Sequence, residues 1–438
     1  MKLLQKRVFW LSVLLLMLSC TLCACHSAET TDTLYRLPKL PPQYESLEAE
    51  IDALLAAGAE RTAPTSGSNL QSVQMVDLDG DGVEEAIAFF RKPADEKPMK
   101  IYFFRSSGES YEQLAMIEGT ASSLYSITYS DLNSDGIREI FIGYKSGTGL
   151  QVLSVYALLG GEPTNLLTTA YTRYAIGDLN GDAMQEVCVL YSDENNGCMA
   201  DCYDFSDREL VLRSTIALSF PSTQLQNVTM GSLTGGEEAL FLTGVSDNSV
   251  AVSDVLTLRE GVLQNITHNG SGEIARFLGL YPADINNDGI TEIPEPIAFA
   301  TEDEEAEIYY RIGWRQYSSD GAAQIVRSTF HNPQDGWDLI LPEEPEDAVS
   351  VQRSVLKDET VVLFSRLRGE KSAPQPLLAI YTITGEDREF RANRADRFLL
   401  ARQVDTLYAA ELFTEEVDEQ TLKNNFSLIT AEWKTGEN

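Results

Sequence analysis

The chain has 438 residues, 43% hydrophobic and 23% charged, values that exclude a wholly disordered chain and call for more than one core. Its 67 acids against 33 bases leave a formal charge of −34. That balance excludes nucleic acid and anionic membrane surfaces as partners, because both are bound through basic patches, and it suits hard cations.

At the start of the chain, Lys2, Lys6 and Arg7 precede the apolar run VFWLSVLLLML, which is short for a membrane span and right for the core of an export signal. The stretch Leu22-Cys23-Ala24-Cys25 resembles the lipobox of bacterial lipoprotein signals, which implies cleavage after residue 24 and a lipid on Cys25. Cys20 is the alternative acceptor. Cleavage would take three bases away and leave about −37 on the mature chain. The resemblance implies a protein held at the extracytoplasmic face of the cell membrane by its lipid anchor.

Residues 25–67 read as a tether followed by a short helix. Pro38, Pro41 and Pro42 suit an extended segment. From Ser46 as N-cap, Leu47, Ile51, Leu54 and Leu55 form one apolar face, and Gly58 supplies a stop. The run TAPTSGSN at 62–69 reads as a loop.

The chain then repeats itself. DLDGDGVEEAIAF begins at Asp77, and related stretches begin at Asp131, Asp178 and Asp284, with a worn copy at Ser232; the starts lie 54, 47, 54 and 52 residues apart. Each copy sits between two strand-like runs, as in YSITYS before and IFIGY after the second. Nothing between copies has the pattern of a long amphipathic helix. About four short strands per 50-residue unit is the density of a propeller blade, so residues 68–325 are expected to form a β-propeller of about five units in a mainly β protein. Between two units, Asp193 to Gly197 reads as a hairpin turn that sets Cys188 opposite Cys202, a candidate disulfide in an exported chain, with Cys198 left over.

The copies at 77, 131 and 284 have the pattern D-x-[DN]-x-D-G-x-x-[DE], from which the copy at 178 departs at the glycine; the pattern sets oxygen donors at alternate positions of a tight turn, as calcium requires. At positions 1, 3, 5, 7 and 9 the first loop offers Asp77, Asp79, Asp81, the Val83 carbonyl and Glu85. The second offers Asp131, Asn133, Asp135, Ile137 and Glu139, and the third Asp178, Asn180, Asp182, Met184 and Glu186, with Ala183 in the place of the glycine. The loop at 284 offers Asp284, Asn286, Asp288, Ile290 and Glu292. The worn copy has Ser232, Thr234 and Gly236 and is expected to close by hydrogen bonds alone. An EF-hand is excluded, since its glutamate position holds Ala88, Ile142 and Val189, and Glu295 in the last copy lies between Pro294 and Pro296. Paired loops of the dockerin kind would lie much closer together.

These repeats resemble the FG-GAP or VCBS repeats of integrin alpha-subunit-like β-propellers. That resemblance implies calcium as the bound ion, held between neighbouring strands of each blade. Of the family's glycine landmarks, only Gly143 is present.

Residues 326–438 read as a separate α+β domain of several strands closed by a helix, with Leu422, Phe426, Ile429 and Trp433 on one face. The GWDLILP strand and the closing helix are similar to a PsbP-type sandwich. The aromatic run IYYRIGWRQY at 308–317 alternates like a buried strand, with stacking on sugar rings as the rival role. Arg388, Arg391, Arg394 and Arg397 recur every third residue among acids, as a solvated face does.

No nucleophile elbow, zinc-protease helix or phosphate loop is present. The histidines are His26, His268 and His331. The expected function is therefore non-enzymatic: a calcium-stabilised surface lipoprotein that binds or scaffolds a protein or carbohydrate ligand. The alternative is a hydrolase or lyase acting on polysaccharide, since carboxylate pairs arise readily in so acidic a chain.

Overall fold

The computed structural model describes residues 42–429, except 109, 147–148, 196, 247–250, 268–278, 302–306, 343–348, 368–372 and 395. The signal peptide with Cys20 and Cys25, His26, His268 and Trp433 lie outside the described residues.

The protein is mainly β, arranged as six antiparallel sheets in chain order. Helix α1 (Pro42–Ala56) leads into the first sheet, made of β1 (Glu60–Arg61), β2 (Val73–Val76), β3 (Glu85–Arg91), β4 (Met99–Ser107) and β5 (Ser110–Gly119). The second sheet is β6 (Ser123–Ser130), β7 (Glu139–Lys145), β8 (Gln151–Leu159) and β9 (Glu162–Ala170), and the third is β10 (Arg173–Gly177), β11 (Glu186–Ser192), β12 (Gly197–Ser206) and β13 (Glu209–Pro221). The fourth is β14 (Leu225–Ser232), β15 (Glu238–Val245), β16 (Ala251–Arg259) and β17 (Val262–Asn265). The fifth begins with β18 (Ile293–Ala298), β19 (Tyr310–Tyr317), β20 (Ala323–Asn332) and β21 (Trp337–Ile340).

In the sixth sheet, β22 (Val349–Leu356), β23 (Glu359–Arg366) and β24 (Gln375–Ile383) are followed by the short helix α2 (Arg388–Ala392), then β25 (Phe398–Arg402) and β26 (Leu407–Leu412). Helix α3 (Glu419–Asn425) and β27 (Phe426–Leu428) close the described chain, β27 pairing with β21 of the fifth sheet.

Successive sheets are buried on both faces, which explains why their second strands read as unbroken apolar runs. Ile87 and Phe89 pack with Ile140 and Ile142 between the first two sheets, and Phe141 with Val187 and Val189 between the next two. Cys188 and Leu190 meet Leu240 and Leu242, Phe241 meets Ile293, and Phe330 with Trp337 meets Phe364 and Ile380. At the two ends a helix takes the place of a sheet. Leu47 and Ile51 of α1 cover Ala86, Ala88 and Phe90, while Ala392 of α2 packs on Ala379, Tyr381 and Ile383. No core cluster among the described residues joins the first sheet to the sixth.

Four expectations are corrected. The helix begins at Pro42 rather than at a cap on Ser46, whose hydroxyl instead accepts the Tyr111 N–H at 3.1 Å. The closing helix stops at Asn425, and Phe426 continues as strand because β21 offers it a free edge. The division expected between residues 325 and 326 falls inside β20, so the fifth sheet spans it. Cys188 and Cys202 are cross-strand partners, as the hairpin requires, yet both are free thiols that pack as small apolar groups in the core.

Candidate metal-binding loops

The acidic loops join β2 to β3, β6 to β7 and β10 to β11 and lead into β18, and one hydrogen-bond pattern recurs in these four. The position-1 aspartate takes the N–H of position 6: Gly82 to Asp77, Gly136 to Asp131, Ala183 to Asp178 and Gly289 to Asp284, at 2.8–3.1 Å. The position-5 aspartate takes the N–H of position 7, from Val83, Ile137, Met184 and Ile290, at 2.7–2.9 Å. The position-9 glutamate takes the N–H of position 2, from Leu78, Leu132, Leu179 and Ile285, at 2.7–3.1 Å. Converging N–H groups of this kind wind the backbone into a nest around its own carboxylates.

This winding requires left-handed backbone at positions 4 and 6. Position 6 has φ of 85°, 90° and 84° at Gly82, Gly136 and Gly289, and Ala183 adopts 69° in their place. The departure from glycine therefore leaves the third loop's geometry intact and costs it backbone strain. At position 4, Gly80 is constrained twice over: its φ is 72°, and a Cβ there would lie 2.6 Å from the Gly136 carbonyl oxygen of the next loop.

The aspartates are at least partly open to solvent, whereas Glu85, Glu139, Glu186 and Glu292 are buried. Glu84 is exposed. Burial pushes Glu139 and Glu186 up to about 7 against the opposing pull of their backbone hydrogen bonds, and it raises Glu85 and Glu292 as well. Glu139, Glu186 and Glu292 thus sit where their negative charge lacks compensation, while Arg105 lies 3.7 Å from Glu85.

Two loops bring three carboxylates within 4.8 Å of one another: Asp77, Asp79 and Glu85, and Asp284, Asp288 and Glu292. Among the described residues these are the two such groups, so the second and third loops hold their acids less tightly together. In those two loops, as in the one at 284, the position-3 asparagine donates to the position-5 aspartate: Asn133 to Asp135 at 3.0 Å, Asn180 to Asp182 at 3.1 Å and Asn286 to Asp288 at 2.9 Å. Asn180 also donates to Glu186 at 2.7 Å. The donor set is all oxygen, as a hard divalent cation demands, and the buried Oδ1 of Asp79 has no hydrogen-bond partner. The residues present therefore fit such an ion.

The worn loop closes on itself, with the Gly236 N–H donating to the Leu233 carbonyl and the Leu233 N–H to that of Glu237, both at 2.8 Å. Its glutamate, Glu238, turns outward and accepts the Asp178 N–H at 3.0 Å. Links of this kind join all five loops into one row. Arg138 N–H donates to the Leu78 carbonyl, Gln185 N–H to that of Leu132, and Thr291 N–H to that of Ser232.

Three residues outside the loop motif reach these loops from β4, β12 and β19. Arg105 on β4 pairs with Asp79 at 2.6 Å and approaches Glu85 at 3.7 Å. Gln316 on β19 donates to both Asp288 and Glu292 at 2.7 Å. Asp204 on β12 adds to the negative field that raises Glu186 and is held by Arg213 at 2.6 Å.

The other candidates are structural. His331 is buried beside Asp338, 3.5 Å away across the β20–β21 pair. Arg397 and Arg391 both face Glu359, and Arg397 lies 3.5 Å above the Tyr381 ring, so these arginines bind helix α2 to the sixth sheet. Ile312 and Trp314 of the aromatic run are buried, and the Trp314 indole N–H donates to Thr329. A cavity of about 400 Å³ opens between the fifth and sixth sheets, with Phe299, Leu339, Val349, Phe364 and Leu412 on its walls. Among the described residues its lining holds one acid, Glu416, paired with Arg366 at 2.6 Å.

No protein-family model matches the chain, and no curated protein matches it. Two solved structures similar to it are the rhamnogalacturonan lyase YesW and TolB from Acinetobacter baumannii. The first is 13% identical over 81% of this chain and 74% of that one, with a TM-score of 0.27. The second is 12% identical over 66% and 62%, with a TM-score of 0.26. At those scores the likeness identifies neither a family nor an activity.

Proposed function

We propose that this chain is a calcium-stabilised lipoprotein of the cell surface, lipidated at Cys25, that binds or scaffolds a protein or carbohydrate ligand without catalysis. In this reading the sheets are propeller-type blades of the FG-GAP or VCBS kind. The observation that carries it is the recurrence, in four loops, of one set of carboxylates held by one set of backbone N–H groups around a buried glutamate. A reactive centre is needed once, whereas an architectural clamp is needed in each blade.

When bound, calcium would supply the positive charge that the buried glutamates lack. The chain's own part is to hold the oxygens in place. The position-1 aspartate fixes the turn, the position-9 glutamate anchors the loop to the start of the second strand, and the position-2 leucine, buried in three of these loops, nails it to the core. Binding to the folded state alone raises stability by mass action, and sites in extracellular modules commonly bind at about 0.1–1 mM, near outside calcium levels.

The test is calorimetric unfolding with calcium and with chelator. Chelation is expected to lower the melting temperature, and Asp135→Ala to remove one bound ion per chain. A melting temperature indifferent to both chelator and calcium would sink the calcium reading. Glycan and peptide arrays, run with and without calcium, identify the ligand class. Release of shortened or unsaturated sugars from a polysaccharide panel would favour the enzymatic alternative instead.

A further inference from the structure

The buried glutamate starts β3, β7 or β11 or immediately precedes β18, so the next strand of the sheet presents one residue beside it. Continuing each strand register by one pair, that residue is Arg105 in the first sheet, Ala157 in the second, Asp204 in the third and Gln316 in the fifth. Four loops with nearly the same ligand set thus face a cation, a methyl group, an anion and an amide.

Resting on the calcium reading above, we propose that Arg105 is a built-in counter-cation of the first loop and that this one strand position grades the loops by metal affinity. The guanidinium spans two of the three carboxylates that lie within 4.8 Å of one another, at 2.6 Å from Asp79 Oδ2 and 3.7 Å from Glu85 Oε1. A divalent ion and this guanidinium compete for the same oxygens, and their charges repel at close range. The arginine is fixed at its backbone within the first sheet, while its side chain is 47% exposed and has room to swing away. The first loop is therefore held closed without metal and gives way to it only at higher concentration. In the second loop Ala157 offers no such charge. In the fifth, the buried Gln316 donates its amide hydrogens to Asp288 and Glu292 but adds no charge.

The experiment is equilibrium dialysis against calcium, with terbium luminescence as a second readout, on the intact chain, Arg105→Gln, Arg105→Lys and Asp135→Ala. Arg105→Gln is expected to gain one bound ion at sub-millimolar calcium, or to tighten one site roughly tenfold. It should also melt at a lower temperature in chelator and recover on adding calcium. Arg105→Lys keeps the charge and should behave as the parent. Adding Asp81→Ala, the first-loop counterpart of Asp135→Ala, to Arg105→Gln should abolish the gain and so place it in the first loop. The proposal is overturned if Arg105→Gln leaves stoichiometry, affinity and chelator melting unchanged while Asp135→Ala still removes an ion. It is also overturned if the gain survives Asp81→Ala. If neither the parent nor Arg105→Gln takes up calcium, the calcium reading fails and the proposal with it. If Arg105→Gln alone does so, the proposal stands and the reading of the parent fails.

Discussion

Replacing Glu139 by glutamine separates the two tasks of the position-9 residue. The amide oxygen can still accept the Leu132 N–H, 3.1 Å from the carboxylate oxygen it replaces, so the loop keeps its anchor and loses only the charge. Burial raises Glu139 from its ordinary 4.5 to about 7, so the folded state holds a proton that the unfolded state releases across that window. Stability from this group is complete below pH 4.5 and is lost as pH rises through 7. Worked through the linkage relation, the ionised carboxylate destabilises the fold by about 3 kcal/mol at pH 8 and by about 1 kcal/mol at pH 5. In chelator at pH 8, Glu139→Gln should therefore be more stable than the parent by up to ~3 kcal/mol, and the gap should narrow at pH 5. With saturating calcium the order should invert, because the amide brings no charge to the ion. Urea unfolding at both pH values, with and without calcium, reads each arm as a midpoint shift. A glutamine variant that is less stable in chelator at pH 8 would refute the claim that burial of charge dominates at this position.

Ala183→Gly relieves a left-handed alanine at the place where three sister loops have glycine, and should stabilise the protein by about 1 kcal/mol, seen as a raised melting temperature in calorimetry. An unchanged or lowered value would show that Ala183 is not strained. Cys198 is pushed up to about 12 by burial, and Cys202 is raised by its hydrogen bond to Cys188 and by burial. All three core thiols should therefore resist iodoacetamide at pH 8 in the folded protein and react in urea, as mass spectrometry of their peptides would record. Native labelling of Cys202 would contradict that placement.

Much of the loop chemistry was legible in the sequence because it is local. Asp131, Asp135 and the αL positions lie within one turn, and their spacing alone dictates the nest. The repeat also announced which strands flank it, since Ile140 to Tyr144 and Val187 to Leu190 are apolar without interruption. What stayed hidden depends on pairing between strands. Arg105 lies 26 residues from Asp79, and only the β3–β4 register brings them together. Ser46 resembled a cap because its partner, Tyr111, is 65 residues away. The apolar stripe from Leu422 to Ile429 fits a helix on spacing, but an open edge at β21 claims Phe426 for the sheet. The same cause moved the expected division at residue 325, where propensity changes but sheet membership does not.

The two helices over the outer faces of the first and sixth sheets give the packing a beginning and an end. Among the described residues each sheet shares a core with the sheets beside it, so stability accumulates from one shared wall to the next. A lesion in the third sheet then weakens its two walls and leaves the far ones standing. The walls between the first four sheets are of one kind, apolar sheet against apolar sheet, whereas α3 adds Leu422 to the wall between the fifth and sixth. A duplicated unit could thus be inserted between the end helices and find a seat without either end being rebuilt. On that logic the number of units is a length that duplication could adjust.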